Sequence, residues 1–443
     1  MPQDPIADVS ASSSPPGPRA GVGARDAGRT RWNPATLHYG SLVLGFAAIL
    51  WIGRDQWFFG DDWAILVPRL DSSILVPHVG HWNMSPAIVF QLLRNWLGLG
   101  SYLPFLALAV LAHLAVVHLA WRILSRAGVQ PWLASVLGIA LMLLGGASEN
   151  IFWAFQFGFM GAIALGLWVL VLFDRPRLTI PLILALSLLA PTFSGTAIPV
   201  LAAAAVVGAV RHGWWRTGLL LLPTAISFLL WYLLVAHGDA MPAAGITTIG
   251  GVAQAGLYAA AMYGGGLGRG LPVVWLGAIP ALTTAVWAIT TVRRGLGSRA
   301  TAAYALVAGS LVFVALTTYS RMSFGISAAA SERYAYLVIV FLLPALGLQL
   351  TWLAARGRQP FAAVVAGLVL IIGFNTVDLV IEAHAQAVRE AGSEKRIHAD
   401  LDQLLKNPGD PALRATPADA KWSPDLLGSD LLALYRSGEF PKP

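Results

Sequence analysis

The sequence predicts an all-α polytopic membrane protein with about eleven transmembrane helices. Three observations carry that prediction. Only 12% of the 443 residues are charged, against about one quarter in soluble domains. The apolar residues, 57% of the chain, fall into blocks close to the roughly 17–25 residues that a bilayer-crossing helix needs. Between the blocks, short arginine-bearing stretches alternate with stretches that hold the acids, the asymmetry that orients membrane helices.

Residues 1–34 are rich in Pro, Ser, Gly and Arg and hold too little apolar surface to fold; they are expected to be a disordered cytoplasmic N-terminus. The segment is too long and too polar at its front for a signal-peptide n-region, so the first apolar block is a retained helix. Spans follow near residues 37–53, 101–121, 132–147, 157–173, 178–192, 195–210, 217–236, 272–291, 301–319, 334–353 and 361–380. Pro191 and the Ser194-Gly195-Thr196 stretch separate the fifth from the sixth. Joining those two would put two basic loops on the wrong side, so they stand as a pair. No repeat of fixed period is visible. The transmembrane domain is thus 35–381. Residues 382–443 are polar, with short amphipathic pieces at Leu426-Leu427 and Leu431-Leu432, and are expected to form a short external tail.

Orientation follows from the connections. One set carries Arg25, Arg29 and Arg31, then Arg122 and Arg126, Arg175 and Arg177, Arg211 and Arg216, Arg293, Arg294 and Arg299, Arg356 and Arg358. These are short basic turns, as cytoplasmic loops are. The opposite set is longer and holds Asp61, Asp62, Asp71, Glu149, Asp239 and Glu332. The expectation is a multi-pass plasma-membrane protein with its N-terminus in the cytoplasm and its C-terminus outside. The net charge of +7 is then a matter of orientation among membrane lipids, with no nucleic acid as partner. With no cysteine, disulfides, thiol nucleophiles and thiolate metal sites are excluded.

The unusual polar residues gather in the acidic connections. After the first span comes Arg54-Asp55-Gln56-Trp57-Phe58-Phe59-Gly60-Asp61-Asp62-Trp63. Two adjacent carboxylates among aromatic rings at a membrane interface are costly unless paired or in use. Helix capping by Asp61 and an aromatic belt would account for one acid and the rings, but leave Asp62 unexplained. Both are candidate catalytic residues. The same connection continues through His78-Val79-Gly80-His81-Trp82-Asn83 into an amphipathic run, Ile88 to Leu97, with Gln91, Arg94 and Asn95 on its polar side. That run is too short to span and is expected to lie in the interface plane. The two histidines at i, i+3 would suit a metal only with a helical face and a carboxylate; amphipathic packing beside Trp82 is the plainer reading. No metal is expected, and His81 stands as a substrate-binding candidate.

The second acidic connection places Glu149, the one acid between Asp71 and Asp174, before Phe152, Trp153 and Phe155. It reads either as a helix N-terminal acid or as a substrate-binding group. The last reads Tyr319-Ser320-Arg321-Met322-Ser323 and Ser331-Glu332-Arg333-Tyr334-Ala335-Tyr336. Arg321, Arg333 and Tyr334 at a wet face suit phosphate, because Arg offers a planar fork of donors; the alternative is a Glu332–Arg333 surface pair. His113 and His118 lie inside the second span and are expected to pack against neighbouring helices. There is no Gly-rich phosphate loop and no G-x-S-x-G.

These residues resemble the GT-C superfamily of integral-membrane glycosyltransferases. The resemblance rests on Phe59-Gly60-Asp61-Asp62-Trp63 just after the first span, on Gly80-His81-Trp82-Asn83, Arg94 and Ser101-Tyr102-Leu103-Pro104, and on Ser331-Glu332-Arg333-Tyr334. It is most similar to the bacterial branch of protein mannosyltransferases and lipid-A sugar transferases. The resemblance implies an acidic pair in the first outer loop, interfacial helices after it, and a polyprenyl-phosphate-linked sugar as donor. The chain has no D-x-D in its second outer loop, unlike metal-dependent members, so no cofactor is expected.

The function expected is sugar transfer from a polyprenyl-phosphate donor to an outer-face hydroxyl on a glycan, lipid or protein, with inversion. Asp61 or Asp62 would take the hydroxyl proton, and Arg321 or Arg333 would stabilise the departing phosphate. The alternative is a membrane transporter or lipid flippase. Transporters place ionisable groups within their spans and show internal repeats, whereas the first ten spans here hold almost none of the charged residues.

Overall fold

The computed structural model describes residues 33–67, 74–237, 246, 248–295 and 297–440. The N-terminal segment up to residue 32, Asp71 and Asp239, on which expectations above bear, lie outside the described residues.

The chain is a multi-pass helical membrane protein. Among the described residues, eight helices are long and apolar enough to cross a bilayer, and the pair Pro131–Met142 and Gly145–Phe152, bent by 58°, makes a ninth. Two shorter apolar helices, α8 (Ile180–Phe193) and α9 (Ala197–His212), fall on the fifth and sixth expected spans. Helices thus occupy all eleven expected positions. At about 1.5 Å per residue, α8 and α9 reach only ~21 and ~24 Å, short of the ~30 Å hydrocarbon core.

Those two helices are nonetheless separate strokes. Both lie along α7 (Phe157–Phe173), which is buried over almost its whole length. Phe193, at the end of α8, packs over Gly161, while Val200 in α9 packs over Gly166. His212, at the far end of α9, meets the Phe173 carbonyl through Nε2 at 2.9 Å. α9 therefore runs parallel to α7 and α8 returns against it, with Ser194–Thr196 as the hairpin apex. Glycines let these helix backbones approach closely, which is how membrane helices gain packing without a hydrophobic driving force.

The two ends of the bundle differ as the connections predicted. At one, Asp174 accepts from Arg126 Nε at 2.7 Å and from Arg211 Nη2 at 2.7 Å, tying three consecutive basic turns together. At the other lie Asp61, His81, Glu149, Arg321 and Arg333. His113, on α4 (Leu103–Ala127), is fully buried, with Tyr336 Oη at 2.8 Å and the Met142 carbonyl at 3.1 Å, the packing role expected of it. His118 meets His38 of the first helix, Pro34–Ile52, at 3.2 Å.

Three features depart from expectation. The helix α11 (Ile249–Arg269) falls in a stretch where no element was predicted. Its glycines seat it against neighbours: Gly265 faces Ala330, and Gly266 faces Ala335 and Val338. Arg269 Nε donates to the Ala330 carbonyl at 3.0 Å, so α11 ends at the same end of the bundle as the ionisable cluster. The chain can therefore enter α12 (Ala278–Arg294) from the end at which α10 (Trp214–Trp231) left it. Second, α15 (Arg358–Lys406) runs unbroken across the expected boundary at 381/382. Its 49 residues extend roughly 73 Å, more than twice the ~30 Å core. Third, the amphipathic helix α3 (Met84–Leu97) turns its polar side onto the protein: Gln91 Nε2 donates to the Ile65 carbonyl at 2.8 Å, and buried Arg94 reaches the Leu66 carbonyl and Glu439. Ile88, Leu92, Trp96 and Leu97 are exposed, as is Asn95 at its end, so the apolar side is largely the one left for lipid.

Beyond α15, a hairpin of β1 (Pro417–Asp419) and β2 (Ser423–Leu427) and the helix α17 (Gly428–Arg436) fold back onto the first acidic connection. Gln56 Nε2 donates to the Ala383 carbonyl at 2.8 Å, and Trp57 N–H to Glu390 at 2.7 Å. Gly60 N–H donates to the Trp422 carbonyl at 2.5 Å. The tail is a buttress for the segment that carries the acidic pair.

Candidate functional site

The acidic pair opens the short helix α2 (Asp61–Leu66). The turn before it needs Gly60 at φ 55°, with Trp153 packed 3.1 Å from where a Cβ would stand. No side chain caps α2, so the capping role considered for Asp61 is not what forms. The helix start points the two carboxylates apart.

Asp62 turns inward and is fully buried. Its Oδ1 accepts the Phe155 N–H at 2.9 Å; its Oδ2 accepts the Phe59 N–H at 3.3 Å and the Tyr102 hydroxyl at 3.1 Å. Tyr102 in turn accepts the Ala154 N–H at 2.7 Å. Burial pushes the Asp62 carboxyl up to about 8, helped by the Asp61 charge, while the three hydrogen bonds pull the other way. Burial also raises the Tyr102 hydroxyl well above its ordinary range. This is a clamp joining two connections, with no surface left for substrate.

Asp61 is partly exposed and lies with Oδ1 3.1 Å from His78 Nε2. His78 and His81 do not share a helical face. They exchange backbone hydrogen bonds of 3.0 Å across a tight turn through Val79 and Gly80, both at positive φ, 51° and 77°. A β-branched residue at positive φ is strained, and Val79 lies in the wall of the site. The turn sends the two rings apart. His78 goes to Asp61, and His81 to Ser194 Oγ at 3.4 Å and edge-on to Phe159 at 5.2 Å. Burial first, then the charges of Arg321, His78 and Arg333, hold His81 down to about 4, so it is neutral at physiological pH.

Glu149 pairs with Arg333 across 184 positions of sequence, and the guanidinium lies 5.5 Å over the Trp153 ring. The Glu332–Arg333 pair considered from the sequence does not form. Instead Glu332 accepts from Ser148 Oγ at 2.8 Å and from the Glu149 N–H at 2.9 Å. Arg321, at the end of α13 (Thr301–Arg321), reaches Tyr334 and, at 3.4 Å, the Val79 carbonyl.

These side chains surround one cavity of about 420 Å³. Asp61, His81, Glu149, Arg321, Arg333 and Tyr334 line it, with Phe155, Phe159, Phe313 and Phe324 as apolar wall. Of the catalytic and substrate-binding candidates named from the sequence, Asp62 alone lies behind the wall. Asp425, in β2, comes with Asp61 and His78 to within 4.8 Å among their ligand atoms. Two carboxylate oxygens and an imidazole nitrogen are the donors that could take a divalent cation there. Asp425 and the Trp422 carbonyl were not found from sequence; nothing in a polar tail marks which residues fold back.

No protein-family model matches the chain. No curated protein matches it either. Among solved structures it is similar to the crystal structure of ArnT from Cupriavidus metallidurans bound to undecaprenyl phosphate, with a TM-score of 0.44 and 13% sequence identity, over 91% of this chain and 75% of that one.

Proposed function

We propose that the chain is an inverting membrane glycosyltransferase of GT-C type, moving a sugar from a polyprenyl-phosphate donor to an outer-face hydroxyl. One observation carries the proposal: a carboxylate with an open face, Asp61, shares a single cavity with two arginines, Arg321 and Arg333. Direct transfer needs both. The acceptor hydroxyl is a poor nucleophile until Asp61 takes its proton. Its oxygen then attacks the anomeric carbon as the bond to the phosphate oxygen breaks, and the charge left on the lipid phosphate meets the guanidinium forks. A single displacement inverts the anomeric centre.

The surroundings support the same reading. Asp62 fixes the start of α2, and hence Asp61, through its bonds to Phe155 and Phe59. A second, apolar cavity of about 340 Å³, lined by Tyr263, Ser310, Leu311 and Leu342 among others, opens about 15 Å along α13 from Arg321 by helix rise. An isoprenoid chain would fit that path. A transporter or flippase would need ionisable groups along its spans, whereas here they gather at the two ends of the bundle.

The test is sugar transfer by the purified chain in lipid vesicles, reading release of polyprenyl phosphate from a labelled polyprenyl-phosphate sugar. Wild-type protein should release it only when acceptor is present. Transbilayer movement of the donor with no release would favour a flippase instead.

A further inference from the structure

The opposite, arginine-rich end holds a third cavity, of about 380 Å³. It lies between α5 (Pro131–Met142), the end of α14 (Glu332–Ala354) and the start of α15. Its walls are apolar, chiefly Trp132, Leu133, Phe361, Val365 and Val369. Phe361, Val365 and Val369 are exposed, so the groove opens sideways toward lipid. From Phe361 to Val369 it runs roughly 12 Å along α15. That is close to one leaflet, half of the ~30 Å core, and a partner transmembrane helix would demand a seam twice as long.

Cationic residues follow directly on the groove: Ala355 lines it, Arg356 comes next and Arg358 opens α15, both exposed. Arg356 lies 3.9 Å over the Trp352 ring. Neither arginine is paired with a carboxylate among the described residues. The sequence holds no Asp or Glu from residue 333 to 377, nor from 127 to 148, the stretches that build the groove.

We propose that this groove binds an anionic glycerophospholipid, one acyl chain lying along Val365 and Val369 and the headgroup phosphate meeting Arg356 and Arg358. The occupant follows from the two halves together. A one-leaflet apolar slot calls for a hydrocarbon chain, and an unneutralised arginine pair beside it selects a headgroup with net negative charge. A zwitterionic phospholipid would fill the slot without that preference. The site is independent of the transfer reaction, at the other end of the bundle.

The experiment places a benzophenone-bearing phenylalanine at position 365 of the full chain, in nanodiscs of phosphatidylcholine with a minor share of phosphatidylglycerol. Irradiation is followed by mass measurement of the lipid adducts. Phosphatidylglycerol adducts should exceed that lipid's share of the bilayer by on the order of tenfold, given two arginines at the surface. The enrichment should vanish in Arg356→Gln/Arg358→Gln and persist in Arg356→Lys/Arg358→Lys, which keeps the charge and guards against a folding artefact. Adducts that simply follow the bulk lipid ratio would overturn the proposal. So would enrichment that survives the Gln pair, or cross-linking of a second copy of the chain in place of lipid.

Discussion

Asp62 accepts the backbone N–H of Phe155 at 2.9 Å, a bond between two connections 93 positions apart that leaves the neighbouring Asp61 facing the cavity. Two identical side chains in adjacent positions therefore have different surroundings and should have different mutational signatures. Asp61→Asn keeps shape but cannot take a proton, and should lower the transfer rate by on the order of 10²–10⁴ with donor binding retained. Asp62→Asn should fold, keep most of its donor affinity and lose far less rate. Single-turnover transfer by purified variants separates them; an Asp61→Asn enzyme within about tenfold of wild type would remove Asp61 from the chemistry.

The cluster itself was legible because ionisable residues are conspicuous in a chain so poor in charge. Asp61, His81, Glu149, Arg321, Arg333 and Tyr334 all reach one cavity. What sequence could not show was which acid of the pair faces it, since the partners that bury Asp62 are backbone groups of distant residues. The same holds for Glu332, whose acceptor role depends on the Ser148 hydroxyl and Glu149 N–H. Among the elements, α11 was hidden by glycines that serve close packing, and the length of α15 by its change from apolar to polar composition near residue 382, where the helix simply leaves the membrane core.

Asp62 also predicts a pH dependence of stability. Its folded carboxyl is pushed up to about 8 from an ordinary 3.8, so the folded chain holds a proton that the unfolded chain releases. The stability tied to that proton is full below the ordinary value, falls as pH rises toward the folded value, and is constant above it. Wild type should therefore lose melting temperature relative to Asp62→Asn on going from about pH 5 to about pH 9. An unchanged difference between the two proteins across that window would mean that Asp62 is ionised throughout.

Sidedness is testable without background, because the native chain has no cysteine. Gln130 and Lys421 are both exposed, at the arginine-rich end and in the buttress respectively. With the N-terminus in the cytoplasm, Lys421→Cys should react with an impermeant maleimide in intact cells and Gln130→Cys only after permeabilisation. The reverse pattern would invert the topology and move the site to the cytoplasmic face.

The buttress should matter to activity more than to insertion. Glu390 accepts from the Trp57 N–H at 2.7 Å and from Gln386 Nε2 at 2.7 Å. Glu390→Ala strands both donors, at a cost of about 1–3 kcal/mol for a buried unsatisfied group, and loosens the segment leading to Asp61. Glu390→Gln keeps an acceptor oxygen for Trp57 and should recover much of the loss. Thermal melts and transfer rates measured together check this; equal rates in all three proteins would make the contact incidental.

The arginines carry the donor half of the proposal, and they differ in their present partners. Arg333 is held by Glu149 and lies over Trp153, whereas Arg321 reaches Tyr334 and a backbone carbonyl. A phosphate arriving in the cavity competes with the Glu149 carboxylate for Arg333, and with the Tyr334 hydroxyl and the Val79 carbonyl among others for Arg321. Arg321→Ala and Arg333→Ala should each raise the apparent donor KM, and Arg333→Ala also frees Glu149 to repel the phosphate and disturbs the wall. Lys at either position restores charge without the planar fork, so rescue should be partial. Glu149→Gln separates the two contributions: in wild type it withdraws the competitor for Arg333, in Arg333→Ala it removes the freed repelling charge, and donor KM should fall in both backgrounds. Donor KM and kcat measured across the five single variants and the double variant read this directly. If both Ala variants keep the wild-type donor KM, neither arginine holds the phosphate.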